Sequence, residues 1–334
     1  MRRGILLVAA MAWGASLQGA PITIVVTGDS QARAMADELL QRTFNAAGMP
    51  AVVYGVTSGG ATSATYAGTK LDEHSDPQAF HNFADDALAM HPDIVTFTLG
   101  VNDAIQGRVE EYFQAIAPEF VKLASAGVKV IVTTAMPVLP NPDNAAFEQA
   151  NVYLDEFLNP WLRAHASAYG FHVLDLSQLI QQQPDWQSWY SDDGASPGYV
   201  HLWGAFAQGT SPGYQWMARQ LLLDCAAMYG GDANLDGVAN GLDYIAWSEH
   251  YLQPGGFADG DFNLDGVVDG LDYIVWADHY EARIAGEATS AATGQLAGVV
   301  PVPEPSGMAL AYGAAVMAIV AGGRRRLCRR AAVA

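Results

Sequence analysis

The stretch that decides the fold lies near the start of the chain, where residues 22–30 have the sequence ITIVVTGDS. Its first six residues are all β-branched, which is typical of a buried strand. Gly28 and Asp29 end this strand pattern, and Ser30 opens a helical one. A serine at this junction presents its hydroxyl beside a helix N-terminus, where developing negative charge is stabilised. The same tripeptide also suits a turn glycine followed by a helix-capping serine.

Outward from this stretch, residues 21–228 alternate short β-rich runs with longer helical patterns. The predicted strands are Ile22–Thr27, Ala51–Val56, Ile94–Leu99, Val128–Thr134 and Phe171–Leu174. The predicted helices are Gln31–Phe44, Gln78–Met90, Val109–Ser125, Ala145–Tyr169 and Gly213–Tyr229. Such alternation predicts an α/β fold with a mainly parallel sheet covered by helices on both faces. Active sites of these folds form at the carboxyl ends of the strands.

Composition restricts the class of protein further. The chain has 334 residues, of which 51% are hydrophobic, and this is enough to build a sizeable core. Its 16 basic residues against 35 acidic ones give a net charge of −19, which excludes the basic face that nucleic-acid-binding proteins carry. Two cysteines, Cys225 and Cys328, cannot form a disulfide framework.

Three further motifs belong to the same predicted sheet edge. The sequence SGGA at residues 58–61 follows the second predicted strand, and GVND at residues 100–103 follows the third. His201 precedes the last predicted helix. Together with Ser30, and in this order, these motifs resemble those of the SGNH or GDSL-type hydrolases, over residues 21–229. The resemblance implies a flavodoxin-like three-layer αβα sandwich that acts as a serine esterase on carboxylic esters, with no cofactor for catalysis.

The resemblance also implies a role for each residue. Ser30 would be the nucleophile and His201 its general base. The backbone N–H of Ser30, the N–H of Gly59 or Gly60, and the amide of Asn102 would form the oxyanion hole. Acyl transfer requires these groups, because it needs an activated hydroxyl and donors for the negative charge of the tetrahedral intermediate.

One position departs from the family pattern. The family carries an aspartate three residues before the histidine, whereas this chain has Gly198. Asp193, with Asp192 as the alternative, is the predicted third member of the triad, because no other acid lies between Trp186 and the histidine. A backbone carbonyl that completes a Ser–His dyad is the other hypothesis.

Residues 230–281 differ in composition, since ten acids and no Lys or Arg lie within residues 230–280. Two twelve-residue loops, 29 residues apart, carry oxygen ligands at positions 1, 3, 5, 9 and 12, a glycine at position 6 and a carbonyl at position 7. This pattern predicts two structural Ca²⁺ sites. The predicted ligands are Asp232, Asn234, Asp236, Val238, Asn240 and Asp243 in the first loop, and Asp261, Asn263, Asp265, Val267, Asp269 and Asp272 in the second.

Duplicated loops of this form resemble type I dockerin modules, which implies a small α-helical domain that folds on Ca²⁺ and docks to a cohesin-like protein. The alternative is a calcium-stiffened stalk without a partner.

Both ends of the chain have the pattern of targeting segments. Residues 1–20 combine two arginines, an apolar run and small residues, which predicts a secretory signal peptide. Residues 282–301 have the composition of a flexible linker. Residues 302–334 contain a Pro-Glu-Pro motif, an uncharged segment at about 307–323 and an arginine cluster, and they resemble a PEP-CTERM sorting signal. The resemblance implies export and cleavage by an exosortase-like protease, while a plain membrane anchor is the alternative.

Three functions are compatible with these observations. The first is an exported esterase that removes acetyl groups from carbohydrates, so that its substrate is an acylated polysaccharide or small molecule. The second is a catalytically inactive binding protein that keeps the fold, and the third is a lipase or thioesterase. Aromatic residues near His201 would suit either a sugar platform or ordinary core packing; they are Trp186, Trp189, Tyr190 and Trp203.

Overall fold

A five-stranded parallel sheet forms the centre of the fold. The computed structural model describes residues 20–36, 38–70, 81–190, 199–202 and 211–281. The strands are Ile22–Gly28 (β1), Ala51–Thr57 (β2), Ile94–Thr98 (β3), Lys129–Thr133 (β4) and His172–Leu174 (β5). Their order is β2-β1-β3-β4-β5, and every neighbouring pair is parallel. This is the flavodoxin-like order, so the predicted parallel sheet is confirmed.

Helices follow most of the strands. Those that follow β1 and β2 are Ser30–Ala36 (α1), Leu39–Ala46 (α2), Ser63–Tyr66 (α3) and Phe83–Leu88 (α4). After β3 and β4 come Val101–Ile105 (α5), Val109–Ser125 (α6), Ala146–Tyr153 (α7) and Asn159–Tyr169 (α8). The remaining helices are Leu176–Gln181 (α9), Pro212–Met228 (α10), Gly241–His250 (α11) and Gly270–His279 (α12). A π-helical turn at Leu154–Leu158 joins α7 to α8, and 3₁₀ turns occur at Trp186–Trp189 and Phe257–Asp259.

Alternation of side chains along the strands divides the core into two layers. In β1, Ile24 and Val26 belong to one apolar cluster, whereas Val25 belongs to the other. The first cluster includes buried residues of α1, α2 and α10, and the second includes residues of α4, α6 and α8. Helices therefore cover both faces of the sheet, and the predicted three-layer αβα arrangement is confirmed.

The helical predictions are less accurate than the strand predictions. The single helix predicted over Gln31–Phe44 is wrong, because Glu38 has a φ of 58° and separates α1 from α2. The described part of the helix predicted over residues 78–90 begins only at Phe83. Helices α3 and α5 were not predicted, because four or five residues are too few for helical periodicity to be visible.

Residues 230–281 contain two similar halves, each with a loop followed by a helix. The indole Nε1 of Trp247 in α11 donates to Asp269 O at 2.7 Å, and the indole of Trp276 in α12 donates to Asn240 O at 2.9 Å. Each helix thus closes the loop of the other half. The 29-residue repeat of the sequence is therefore also a repeat of contacts in three dimensions.

The predicted signal peptide, linker and sorting signal fall on residues 1–20 and 282–334, of which only residue 20 is described. Within the described ranges, no helix combines the length and the apolar character needed to cross a bilayer.

Candidate active site

The turn after β1 places Ser30 at the sheet edge. Gly28 has a φ of +137°, and a Cβ there would lie 1.9 Å from Thr98 O in β3, so only glycine fits. The next residue, Asp29, donates its N–H to the same carbonyl at 3.1 Å. Ser30 is then the first residue of α1 and is 8% exposed. The sheet edge thus holds the backbone tightly and places Ser30 at the start of α1.

Ser30 and His201 meet in the folded chain. The Oγ of Ser30 lies 2.7 Å from Nε2 of His201, although the two residues are 171 positions apart. A neutral imidazole with its proton on Nδ1 accepts the serine hydroxyl through Nε2. The pair therefore has the geometry that a nucleophile and a general base require.

Three contacts fix the segment that carries His201. The carbonyl of Tyr199 accepts the N–H of Leu139 at 2.7 Å, and Leu202 forms an isolated antiparallel bridge with Tyr190. Between them, the carbonyl of Val200 accepts Nε2 of Gln31 at 3.0 Å. The Gln31 side chain, which is 1% exposed, follows the candidate nucleophile directly and holds the residue before the candidate base.

Replacing Gln31 with methionine should lower kcat about tenfold and leave KM nearly unchanged, because the histidine segment loses its hydrogen bond from Gln31 to Val200 O. Small misplacements of reacting groups cost up to about 10²-fold in rate. Gln31→Glu should be slower still, since a carboxylate would face the Val200 carbonyl. Steady-state kinetics on a short acyl ester measure both effects.

Gln41→Met is the matched control, because Gln41 Oε1 accepts the Val53 N–H at 3.1 Å on α2, away from the site. Gln41→Met should lower the stability of the fold to a similar extent but leave kcat unchanged. Equal kcat losses in Gln31→Met and Gln41→Met would contradict the positioning role of Gln31.

The second side of the site is formed by Asn102 in α5. Its Nδ2 donates to Ala61 O at 3.0 Å and makes a longer contact, 3.4 Å, with Oδ2 of Asp29. The amide therefore lies between the turn at residues 58–63, which we call the glycine turn, and Asp29. The amide thus contacts the residue that directly precedes Ser30 in the chain.

The neighbouring Asp103 fixes the glycine turn. Its carboxylate accepts the backbone N–H of Ser63 at 3.0 and 3.1 Å and the hydroxyl of Ser63 at 2.6 Å. At the other end of the turn, the N–H of Ser58 donates to Gly28 O at 3.1 Å. Gly60 has a φ of +73°, and Gly59 beside it is half-buried. The turn that carries both predicted oxyanion glycines is thus anchored at each end.

Burial makes the two carboxyl groups of the site unusually basic. Desolvation raises the pKa of Asp29 to about 7, against the opposing effect of the Gln31 N–H, and raises the pKa of Asp103 to about 6. The contact between Asp29 and Asn102 therefore depends on the protonation of a group that titrates near neutrality.

The remaining predicted site residues either lie outside the described residues or pack in the core. Asp192, Asp193, Gly198 and Trp203 lie outside the described residues. Tyr190 is buried and donates its hydroxyl to Pro137 O at 2.6 Å, which is core packing. The sequence did not reveal Gln31, Ser63, Asp103 or the link between Asp29 and Asn102.

The two predicted calcium loops have nearly identical geometry. In the first, the carboxylate of Asp232 accepts the N–H groups of residues 236 and 237 at 3.1 and 2.9 Å, and that of Asp243 accepts those of residues 234 and 240 at 3.2 and 2.8 Å. In the second loop, Asp261 and Asp272 make the corresponding bonds at 2.8 to 3.1 Å. These four carboxyl groups are at most 2% exposed.

The donor set of these loops fits a hard cation. Each loop offers carboxylate, amide and carbonyl oxygens, and none of the four buried carboxylates pairs with a basic side chain in the described ranges. Burial raises the pKa of Asp232 to about 6, which is the effect of a negative charge without a counter-ion. Among the described residues, no three His, Cys, Asp or Glu side chains converge as in a formed metal site, so the calcium sites remain a prediction.

Solved structures with a similar chain were found at low sequence identity. A GDSL-like lipase from Bacteroides thetaiotaomicron is 18% identical with a TM-score of 0.40, covering 61% of this chain and 86% of its own. A member of the lipolytic G-D-S-L family from Veillonella parvula is 16% identical with a TM-score of 0.43, covering 60% of this chain and 96% of its own. The acetyl xylan esterase AlAXEase is 18% identical with a TM-score of 0.40, covering 60% and 98%. No curated protein matches the chain.

A family profile gives the decisive comparison. The profile of the GDSL-like lipase/acylhydrolase family matches residues 13–208, which is more than half of the chain and includes every predicted catalytic residue. The chain therefore belongs to the GDSL-like lipase/acylhydrolase family and is a hydrolase of ester bonds.

Proposed function

We propose that the chain hydrolyses its ester substrate with Ser30 as nucleophile and His201 as general base. The observation that carries this proposal is the 2.7 Å contact between Ser30 Oγ and His201 Nε2 at the carboxyl edge of the sheet. Serine attacks the ester carbonyl while its proton moves to the histidine, which returns it to the leaving alcohol. A water molecule, activated by the same histidine, then attacks the acyl-enzyme and releases the carboxylic acid. The same contact favours an active enzyme over an inactive binding protein.

The tetrahedral oxyanion would be held by three donors. These are the backbone N–H of Ser30, an N–H of Gly59 or Gly60, and the Nδ2 group of Asn102. The proposal is supported by the anchored turn at residues 58–63 and by the position of Asn102 beside it. Donors that are already fixed before the reaction need no reorganisation in the transition state.

The group that orients His201 is proposed to be Asp193, with Asp192 as the alternative and a backbone carbonyl as the third candidate. Gly198 stands where the family has its aspartate, so the acceptor has to come from another position, either a displaced acid or a backbone carbonyl. Comparing kcat/KM of Asp193→Ala and Asp192→Ala decides among the three, since a dyad predicts no loss in either variant.

The proposed reaction is removal of acetyl groups from carbohydrates. Two features support it: the duplicated acidic loops that resemble the modules of polysaccharide-degrading enzymes, and the half-buried Trp186 and Trp189, which lie close in sequence to Tyr190. Tyr190 in turn pairs with Leu202, the residue after His201. Partly exposed indole rings suit the apolar faces of sugars.

An acyl-length series tests this substrate class. With p-nitrophenyl esters of two to twelve carbons, kcat/KM should be highest for acetate and fall by about tenfold or more at butyrate and beyond, because a deacetylase needs only a small acyl site. Acetylated xylan should also release acetate. A maximum at eight or more carbons, without acetate release from the polysaccharide, would establish a lipase instead.

We also propose that residues 230–281 bind two Ca²⁺ ions and dock to a cohesin-like protein. The ions would be held by the loop oxygens already named. Docking is supported by equivalent exposed apolar residues on α11 and α12; these are Leu242 and Ile245, and Leu271 and Ile274, which are 42 to 57% exposed. Because the four residues repeat at the 29-residue spacing, each half of the module offers the same surface.

Export is the last part of the proposal. The signal-peptide pattern of residues 1–20 and the PEP-CTERM-like pattern of residues 302–334 support secretion followed by cleavage by an exosortase-like protease. Intact mass of the exported protein tests it, since a mature species that still contained Arg324–Arg330 would indicate a simple membrane anchor.

A further inference from the structure

Residues 230–281, which we call the acidic module, are attached to the hydrolase domain by backbone hydrogen bonds as well as by the continuous chain. The N–H of Phe257 donates to Ala47 O at 2.8 Å, and the N–H of Ala258 donates to Gly48 O at 3.1 Å, directly after α2. The two backbones approach so closely that a Cβ at Gly256 would lie 2.8 Å from Ala47 O. Two independent domains joined by a flexible linker would not need their backbones to be in such close contact.

Apolar side chains of the module extend the hydrolase core. Phe257 is fully buried, and Phe262 and Leu264 are 3% and 6% exposed. All three belong to the same apolar cluster as Phe44 of α2 and Leu222 of α10. The module therefore contributes to the core on one face of the sheet.

Two of these side chains belong to a predicted calcium loop. Phe262 and Leu264 occupy positions 2 and 4 of the second loop, between the predicted ligands Asp261, Asn263 and Asp265. In addition, Arg219 of α10 donates Nη2 to Leu264 O at 2.6 Å. The conformation of the loop that would hold an ion is thus the conformation that places its apolar residues in the hydrolase core.

The first loop is coupled to the same helix in another way. It begins at Asp232, only four residues after α10 ends at Met228. Its Ala233 is 3% exposed within the same apolar cluster, and Tyr229 beside it is covered by Lys129 of β4, with Nζ 4.1 Å from the ring centroid. Neither loop can unfold without exposing part of this cluster.

Each loop also places two buried carboxylates close together. Four buried carboxylates lie in the two loops, without a basic partner among the described residues. Without a cation their mutual repulsion and desolvation oppose the folded loop, and a bound divalent cation removes both costs.

We infer that calcium bound in the module stabilises the catalytic domain itself, because the loops supply part of its core between α2 and α10. This inference rests on the proposed calcium function of the loops. Their calcium-free form should loosen α2 and α10 together with the module. The acidic module is then a structural part of the esterase on one side and a docking surface on the other.

Calcium titration of the chelator-treated full chain tests the inference with two separate readouts. Isothermal titration calorimetry measures binding directly, and hydrogen exchange measures protection of residues 39–46 and 212–228. At a calcium concentration about 100 times the Kd, we expect about tenfold or greater protection of both helices and a rise of about 5–10 °C in Tm. Calcium binding without added protection of α2 and α10 would overturn the inference while leaving the calcium function intact. Absence of binding would overturn both.

Three variants complete the test. Asp261→Ala combined with Asp272→Ala should abolish the protection of α2, because it removes ligands of the second loop, and should reduce that of α10, to which the first loop is also coupled. Gly256→Val should still bind calcium but lose most of the protection of α2, because the new side chain meets Ala47 O and separates the module from the hydrolase. The exposed Asp278→Ala is the matched control and should behave as the unchanged chain. Full protection of α2 in Gly256→Val would count against coupling through this interface.

Discussion

Ser30→Ala should lower kcat on p-nitrophenyl acetate by about 10⁴-fold or more, while the circular dichroism spectrum stays unchanged. The serine Oγ is the atom proposed to form the acyl-enzyme, and it lies 2.7 Å from Nε2 of His201, the proposed general base. In the serine proteases that serve as the reference case, loss of the nucleophile costs about as much as loss of the whole triad. The alanine variant should also fail to react with a fluorophosphonate.

The control for this prediction is Ser125→Ala, an exposed serine at the end of α6. It should retain full activity and full fluorophosphonate labelling. Normal turnover by Ser30→Ala would mean that another residue is the nucleophile, and the role proposed for Ser30 would then have to be abandoned.

The sheet could be predicted because its strands are short and rich in apolar residues, and because the central strands β1, β3 and β4 are almost entirely buried. Such segments leave a continuous signal in the sequence, as in residues 22–27, and each of the five predicted strands lies within two residues of its observed bounds. Helices depend more on tertiary contacts. The break at Glu38 has no glycine or proline to announce it, so periodicity alone joined α1 and α2 into one helix.

The candidate site was predictable where chemistry and topology coincide. Ser30, Asn102 and the glycine turn each follow a strand, and parallel strands bring their carboxyl ends to one edge. His201 has no such strand before it, so its position depended on the resemblance to a family. The contact from Gln31 to Val200 could not be predicted, because a buried glutamine has no pattern that identifies its partner 169 residues away.

The contact between the acidic module and the hydrolase was also beyond prediction. The acidic composition and the 29-residue repeat both begin near residue 230. Such a change in composition suggests a separate domain that folds independently. Apolar residues inside an acidic loop indicate that the residues are buried, but they do not indicate which part of the protein they pack against. Phe262 and Leu264 are buried in the core of the neighbouring domain, which only the three-dimensional arrangement reveals.

Asn102→Ala should lower kcat by about 10²–10³-fold with a much smaller change in KM, since an oxyanion donor acts mainly in the transition state. The Nδ2 group has two hydrogens. One is used in the bond to Ala61 O at 3.0 Å, and the other makes only the longer 3.4 Å contact with Asp29. The weaker contact is the one that can be exchanged for the oxyanion during the reaction. Asn102→Asp should be at least as slow, because it would present negative charge to the developing oxyanion.

The loss in Asn102→Ala has to be separated from simple loosening of the glycine turn, because the variant also loses the bond to Ala61. Ser63→Ala is the matched control, since it removes the 2.6 Å bond to Asp103 from the same turn and leaves the amide in place. A neutral hydrogen bond contributes about 1 kcal/mol to stability and one to a charged group about 1.5–3 kcal/mol, so Ser63→Ala should unfold at a temperature at least as low as Asn102→Ala. Only Asn102→Ala should lose the 10²-fold or greater factor in kcat. Equal kcat losses in the two variants would show that Asn102 acts through the turn, and the oxyanion would then depend on backbone N–H groups alone.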